Sequence, residues 1–153
     1  MTHHEHSEPN ALQSIRNAER LCALKGLRLT SLRRKILEAL LVREAPVKAY
    51  DLIDYLREDG LRLTPATVYR TLEFLLQHGL AHRVNALNAY VPCTCDHPHE
   101  ALLLFICSEC RRTEEIDDPA LCDSLHARLG GKGISLSAGS TIEIQGTCPN
   151  CAH

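Results

Sequence analysis

No apolar run in this chain approaches the ~20 residues of a membrane-spanning helix; the longest is Ala101 to Cys107. The first six residues, Met-Thr-His-His-Glu-His, lack the basic start and apolar stretch of a secretory leader. These two absences argue against membrane insertion and export and predict a cytoplasmic protein. A disulfide framework is out of place in that reducing setting, so the eight cysteines among 153 residues are read as metal or thiol chemistry. Acidic charge is missing between Glu19 and Glu38, a span that holds Arg20, Lys25, Arg28, Arg33, Arg34 and Lys35. A hydrophobic content of 44% with 24% charged residues excludes a disordered chain. The length suits one ordinary domain or two small ones.

What is present is concentrated in the last third. Two Cys-x-x-Cys turns, Cys107/Cys110 and Cys148/Cys151, have 37 residues between them. One such turn offers two thiolates at a bite that fits a tetrahedral ion, and a second completes a closed four-sulfur structural zinc site. Redox or disulfide use of the same cysteines is the rival reading. The net charge of −2 conceals a gradient: residues 1–91 carry a surplus of +3 and residues 92–153 a deficit of −5. A positive half joined to a negative, ligand-rich half predicts two jobs, divided between residues 1–91 and 92–153, although a surplus of +3 does not by itself argue for nucleic acid.

Apolar periodicity in the first half predicts four helices. The first covers residues 10–25 and is ended by Gly26. The second runs from Ser31 to Leu41 behind the cap residue Thr30, and the third from Ala49 to Arg57, closed by Asp59-Gly60. The fourth starts from the cap Thr64 with Pro65 at its first position, and ends before Gly79. Successive 100° steps place Val68, Leu72, Leu75 and Leu76 on its inner stripe. Its outer side offers Thr67 and Arg70, with Tyr69 at the boundary, side chains able to meet base edges and phosphates. Two short strands follow, Leu80 to Val84 and Ala89 to Val91, which gives the order of a winged helix-turn-helix. In the second half, strands are expected at Leu102–Ile106, Thr113–Ile116 and Ser140–Gln145. A helix is expected at Ala120–Leu129, with Leu121, Cys122, Leu125 and Leu129 turned inward. The fold class predicted is α+β: an N-terminal winged helix-turn-helix followed by a small αβ dimerisation domain carrying a four-cysteine zinc site.

Between the halves lies a second ligand-rich stretch, Cys93, Cys95, Asp96, His97, His99 and Glu100. His82 precedes it, and Glu114 and Glu115 follow the first cysteine pair. Thiolate, imidazole and carboxylate together suit Zn(II) better than Mg(II) or Fe(II). Cys22 and Cys122 fall on apolar helical faces and are read as core.

Thr64 to Leu72 (Thr-Pro-Ala-Thr-Val-Tyr-Arg-Thr-Leu), with Cys107-Ser-Glu-Cys110 and Cys148-Pro-Asn-Cys151, resembles the ferric uptake regulator (Fur) family of bacterial metal-responsive repressors. The resemblance extends over roughly Ala18 to Cys151. Ala49 to Asp54 and Asn88 to Cys93 are most similar to its zinc uptake regulator (Zur) branch. It implies a homodimer that binds a double-stranded, inverted-repeat operator near zinc import genes. It also implies two Zn(II) per subunit: a structural ion on Cys107, Cys110, Cys148 and Cys151, and a regulatory ion on His82, Cys93, His99 and Glu115. His97, Cys95 and Glu114 are the alternates. Tyr50 and Arg70 match positions that face DNA, with Tyr69 close by. Many members carry histidines just before the first cysteine pair where this chain has Leu102-Leu-Leu-Phe-Ile106, so the ligands of a third site have no clear counterpart.

The function expected is a zinc-responsive repressor of zinc uptake and homeostasis genes, with no catalytic residues, small-molecule substrate or membrane partner. An iron- or peroxide-sensing regulator of the same family is the first alternative. Such sensors use histidine and carboxylates, whereas Cys93 places a thiolate in the site. A Cys-x-x-Cys thiol oxidoreductase is more distant, because neither pair begins a helix, where a thiol would be acidified.

Overall fold

In the computed structural model, residues 9–43, 45–94, 101–137 and 140–152 are described. The chain divides into two compact units, residues 1–96 and 97–153.

The first unit holds four helices, α1 (Pro9–Leu24), α2 (Ser31–Leu41), α3 (Ala49–Glu58) and α4 (Pro65–Gln77). Their starts are set locally. Thr30 Oγ1 accepts from Arg33 N at 3.4 Å and Thr64 Oγ1 from Thr67 N at 3.3 Å, each satisfying an amide that the helix cannot. Their ends share one device. Gly26, Gly60 and Gly79 take φ of 66°, 84° and 70° after α1, α3 and α4. The leucine after each glycine donates back to its helix, Leu27 to Cys22 O, Leu61 to Leu56 O and Leu80 to Leu75 O, at 2.8–2.9 Å. Ile36, Leu40, Leu52, Leu56, Val68, Leu72 and Leu75 are fully buried in the core of this unit. Cys22 is buried with them, as its apolar face predicts.

α4 passes through the Gly79 turn into an antiparallel hairpin, β1 (Ala81–Val84) and β2 (Ala89–Pro92), with His82 opposite Val91. A 3-10 turn at Asn85–Leu87 joins the strands, and Asn88 closes it at a φ of 48°. Val47 pairs with Tyr90 through two bonds of 2.8 and 2.9 Å, adding the chain before α3 to the hairpin. Helices followed by such a hairpin form a winged helix.

The second unit is a three-stranded sheet in the order β4-β3-β5, formed by β3 (Ala101–Cys107), β4 (Thr113–Ile116) and β5 (Ser140–Gly146). β3 pairs antiparallel with β4 and parallel with β5. α5 (Pro119–Gly130) supplies the crossover that a parallel pair needs. The continuous apolar run of β3 suits a central strand, and all but Phe105 of its residues are buried. α5 departs from the inward face expected of it: Leu121 is 45% exposed and none of the helix's residues is buried. An apolar stripe on a single helix is covered only where another surface meets it. Among the described residues no helix is long and apolar enough to cross a membrane.

Candidate metal centre and nucleic-acid interface

The four-cysteine cluster follows from the register of two strands. Cys107 ends β3, and the parallel pairing sets Gly146 of β5 opposite it. Both Cys-x-x-Cys turns therefore leave the same end of the sheet. The first reverses through Arg111 at a φ of 61°, and Arg111 N donates to Cys107 O at 3.0 Å. The second closes with Cys151 N donating to Cys148 O at 2.9 Å. Cys148 N in turn donates to Cys107 Sγ at 3.4 Å, which knits one turn to the other.

All four sulfurs lie within 4.8 Å of one another, and Cys110 Sγ stands 3.8 Å from Cys148 Sγ. A tetrahedral ion with Zn–S near 2.3 Å demands sulfur–sulfur edges of about 3.8 Å, so this donor set fits zinc. Cys107 and Cys148 are buried, Cys151 is half-buried and Cys110 is exposed. The Cys107 thiol is pulled down to about 6, first by the Cys110 amide and then by that of Cys148. Cys151 is pushed up to about 12, chiefly by the neighbouring Cys148 and Cys110 sulfurs. The opposite shifts of Cys107 and Cys151 reflect the cost of placing thiolates this close without a cation. A divalent ion is what lets all four ionise. Neither turn begins a helix, so the arrangement lacks the acidifying helix start of a thiol oxidoreductase.

His82 and Cys93 form a second, smaller pairing in the first unit. His82 faces Val91 across the hairpin, and Cys93 lies two residues beyond Val91, which places both on one face. Cys93 N donates to Leu80 O at 3.0 Å and so extends the ladder past Pro92. The ligand atoms of His82 and Cys93 come within 4.8 Å. In the second unit, Glu115 is half-buried opposite the buried Leu104, while Glu114 is exposed opposite Phe105. Cys95, His97 and His99 lie outside the described residues.

The outer face of α4 carries the side chains expected there. Tyr69 is 43% exposed and Arg70 is exposed, while Val68, Thr71, Leu72 and Leu75 are buried. Tyr50, at the start of α3, is 68% exposed. Thr67 is half-buried, its hydroxyl 2.9 Å from Thr64 Oγ1 within the cap of α4. Two arginines of the basic stretch, Arg33 and Arg34, are engaged within the unit. Arg34 reaches Glu19 at 2.6 Å and Glu38 at 2.9 Å, which raises its already high pKa. Arg33 lies over Phe74, with 3.5 Å from its guanidinium carbon to the ring centroid.

Exposed Arg83 on β1, held by Asn88 Oδ1 at 2.8 Å, was not singled out from the sequence. Its only signal was an asparagine suited to a left-handed turn.

The model of the ferric uptake regulator family matches residues 24–143. The zinc uptake regulation protein of Escherichia coli is 36% identical over 140 residues, spanning 91% of this chain and 81% of its own length. That of Mycobacterium tuberculosis is 31% identical over 129 residues, spanning 82% of this chain and 95% of its own. A solved zinc uptake regulator complexed with zinc and DNA superposes with a TM-score of 0.80 at 34% identity, over 92% of this chain and 94% of that one. With the winged helix and the paired cysteine turns where the motif requires them, the chain belongs to the ferric uptake regulator family.

Proposed function

We propose that this protein is a zinc-responsive, DNA-binding repressor of zinc uptake genes, acting in the cytoplasm as a homodimer on an inverted-repeat operator. The observation that carries the reading is the adjacency of His82 and Cys93, with donor atoms within 4.8 Å, just past the helix that presents Tyr69 and Arg70. The similarity to zinc uptake regulators, one of them solved with zinc and DNA, supports it.

His82, Cys93, His99 and Glu115 are the proposed regulatory ligands, with His97, Cys95 and Glu114 as alternates. The half-buried position of Glu115 favours it over exposed Glu114. Cys107, Cys110, Cys148 and Cys151 hold the structural ion, for two zinc ions per subunit. Zinc at the regulatory ligands supplies a crosslink between stretches far apart in sequence. His82 connects to α4 through the short Gly79 turn, where Leu80 N bonds Leu75 O at 2.8 Å. A restraint on His82 is thereby a restraint on α4. Residues 1–91 then bind DNA through Tyr50, Thr67, Tyr69 and Arg70, with Arg33 and Arg34 in the supporting basic stretch, and residues 92–153 bind metal and dimerise. Ordering of this kind is worth ~1–3 kcal/mol of coupling.

Cys93 separates this reading from iron or peroxide sensing, because a thiolate among the ligands favours zinc. The test is operator binding across buffered series of free zinc, iron and manganese, followed by peroxide challenge. Zinc alone is expected to restore binding. Restoration by iron with release on peroxide would transfer the chain to the other sensor class.

A further inference from the structure

Where α2 meets α4, Arg33 makes two directional contacts with its side chain and one with its backbone. The Arg33 guanidinium stacks over Phe74 at 3.5 Å from the ring centroid. Its Nη1 donates to Arg28 O at 2.7 Å, and the Arg33 backbone N–H donates to the Thr30 cap. Phe74 also meets the His78 ring at the end of α4, with centroids 4.6 Å apart.

Phe74 lies one turn beyond Arg70 on α4, so the ring and the exposed arginine share a side of the helix. The buried stripe of α4 is mostly Val68, Leu72 and Leu75. Aliphatic contacts decide which face points inward but impose little directional preference on a small rotation about the axis. A planar guanidinium laid on a planar ring and tied to a carbonyl does impose one. The half-buried Arg33 has one face covered by Phe74 and one N–H committed to Arg28, whereas Arg70 projects into solvent.

We propose that Arg33 is a positioning residue: through Phe74 it sets the rotation of α4, and with it the aim of Tyr69 and Arg70, and does not itself contact a phosphate. The inference rests on the DNA-binding reading above. It separates Arg33 from the other basic residues of the acid-free stretch, whose charge contributes without such a stack.

The test uses the full-length, zinc-loaded protein and two duplexes of equal length. One is selected from random sequence by the wild-type protein and the other is unrelated to it. Arg33→Lys keeps the charge and removes the planar stack, and Phe74→Leu removes the ring and keeps apolar contact. Each is expected to lose about tenfold in affinity for the selected duplex and to stay within about twofold on the unrelated one. The double variant should be no worse than either single one, and Phe74→Tyr, which retains a ring, should bind like wild type. Arg33→Met should leave the salt dependence of binding unchanged across about 50–200 mM salt, because no phosphate contact is lost.

Thermal unfolding and zinc content of every variant separate misfolding from misaim. Full affinity of Arg33→Lys for the selected duplex would overturn the proposal. So would equal losses on both duplexes with Arg33→Met and a salt slope smaller by about 0.9 per contact, the mark of a phosphate contact. If the wild type selects no duplex at all, the DNA-binding reading itself falls.

Discussion

The two sulfur-bearing regions of this molecule gather donors in opposite ways. The four-cysteine cluster is assembled inside one unit, from two turns that leave the same end of a sheet whose register is fixed along all seven residues of β3. The His82–Cys93 pair offers only two donors, on one face of a hairpin in the first unit, and the regulatory site proposed here draws its further ligands from elsewhere in the chain. A donor set closed within one small unit empties only when that unit opens, which suits a scaffold. A set completed from distant stretches fills according to the free ion, and its filling changes what the chain can do, which suits a switch.

The largest effect that can break this contrast is expected at Cys107. Structural zinc contributes about 10–16 kcal/mol in small zinc-dependent folds, comparable to or above the whole stability of a domain. Cys107→Ser should lose one zinc per subunit together with the secondary structure and dimerisation of the second unit. A folded dimer with its full zinc content would remove the scaffold role. Cys93→Ser should leave fold, dimer and structural zinc intact while abolishing the zinc stimulation of operator binding, a change on the order of 5–150-fold. Zinc stimulation that survives in Cys93→Ser would move the switch elsewhere.

Two smaller effects sharpen the account. Arg70→Ala should cost ~1–3 kcal/mol on the operator, measured by titration against the wild type, with metal content unchanged. Thr64→Ala removes the side-chain acceptor for Thr67 N and should lower stability by about 1 kcal/mol in denaturant unfolding.

The smallest effect concerns protons at the four-cysteine site. Cys107, held down to about 6, is already a thiolate near neutral pH and becomes a thiol below that value. Cysteine must lose its proton to bind zinc, so zinc affinity should weaken as pH falls, least steeply where the Cys107 turn is already formed. Calorimetry at each pH measures the affinity. Zinc affinity that is level from pH 7.5 to 5 would show that thiol deprotonation is not coupled to binding.

How much of this was legible in the sequence depends on the range of each interaction. Helix limits were readable because their causes are local: Thr30, Thr64 and Pro65 at the starts, Gly26, Gly60 and Gly79 at the ends. The cysteine turns were readable because their spacing encodes the bite. The stack of Arg33 on Phe74 and the bridge of Arg34 to Glu19 were not, since those partners come from other helices, whereas the i,i+4 pair of Arg34 with Glu38 is local. Nor was the exposure of Leu121, because a helical stripe shows that a face is apolar without saying what covers it. His82 and Cys93 stood out as ligand types, but only the β1–β2 register brings them onto one face.

The central claim is that one metal site holds the fold and another governs DNA binding. Its most direct test is to withdraw zinc stepwise from the operator-bound protein with a graded chelator. Zinc per subunit, operator occupancy and far-UV circular dichroism are read on the same samples. The account predicts that the operator is released as about one zinc per subunit leaves, with secondary structure unchanged and the second ion retained. Operator occupancy that falls only when the last zinc and the fold are lost together would contradict it.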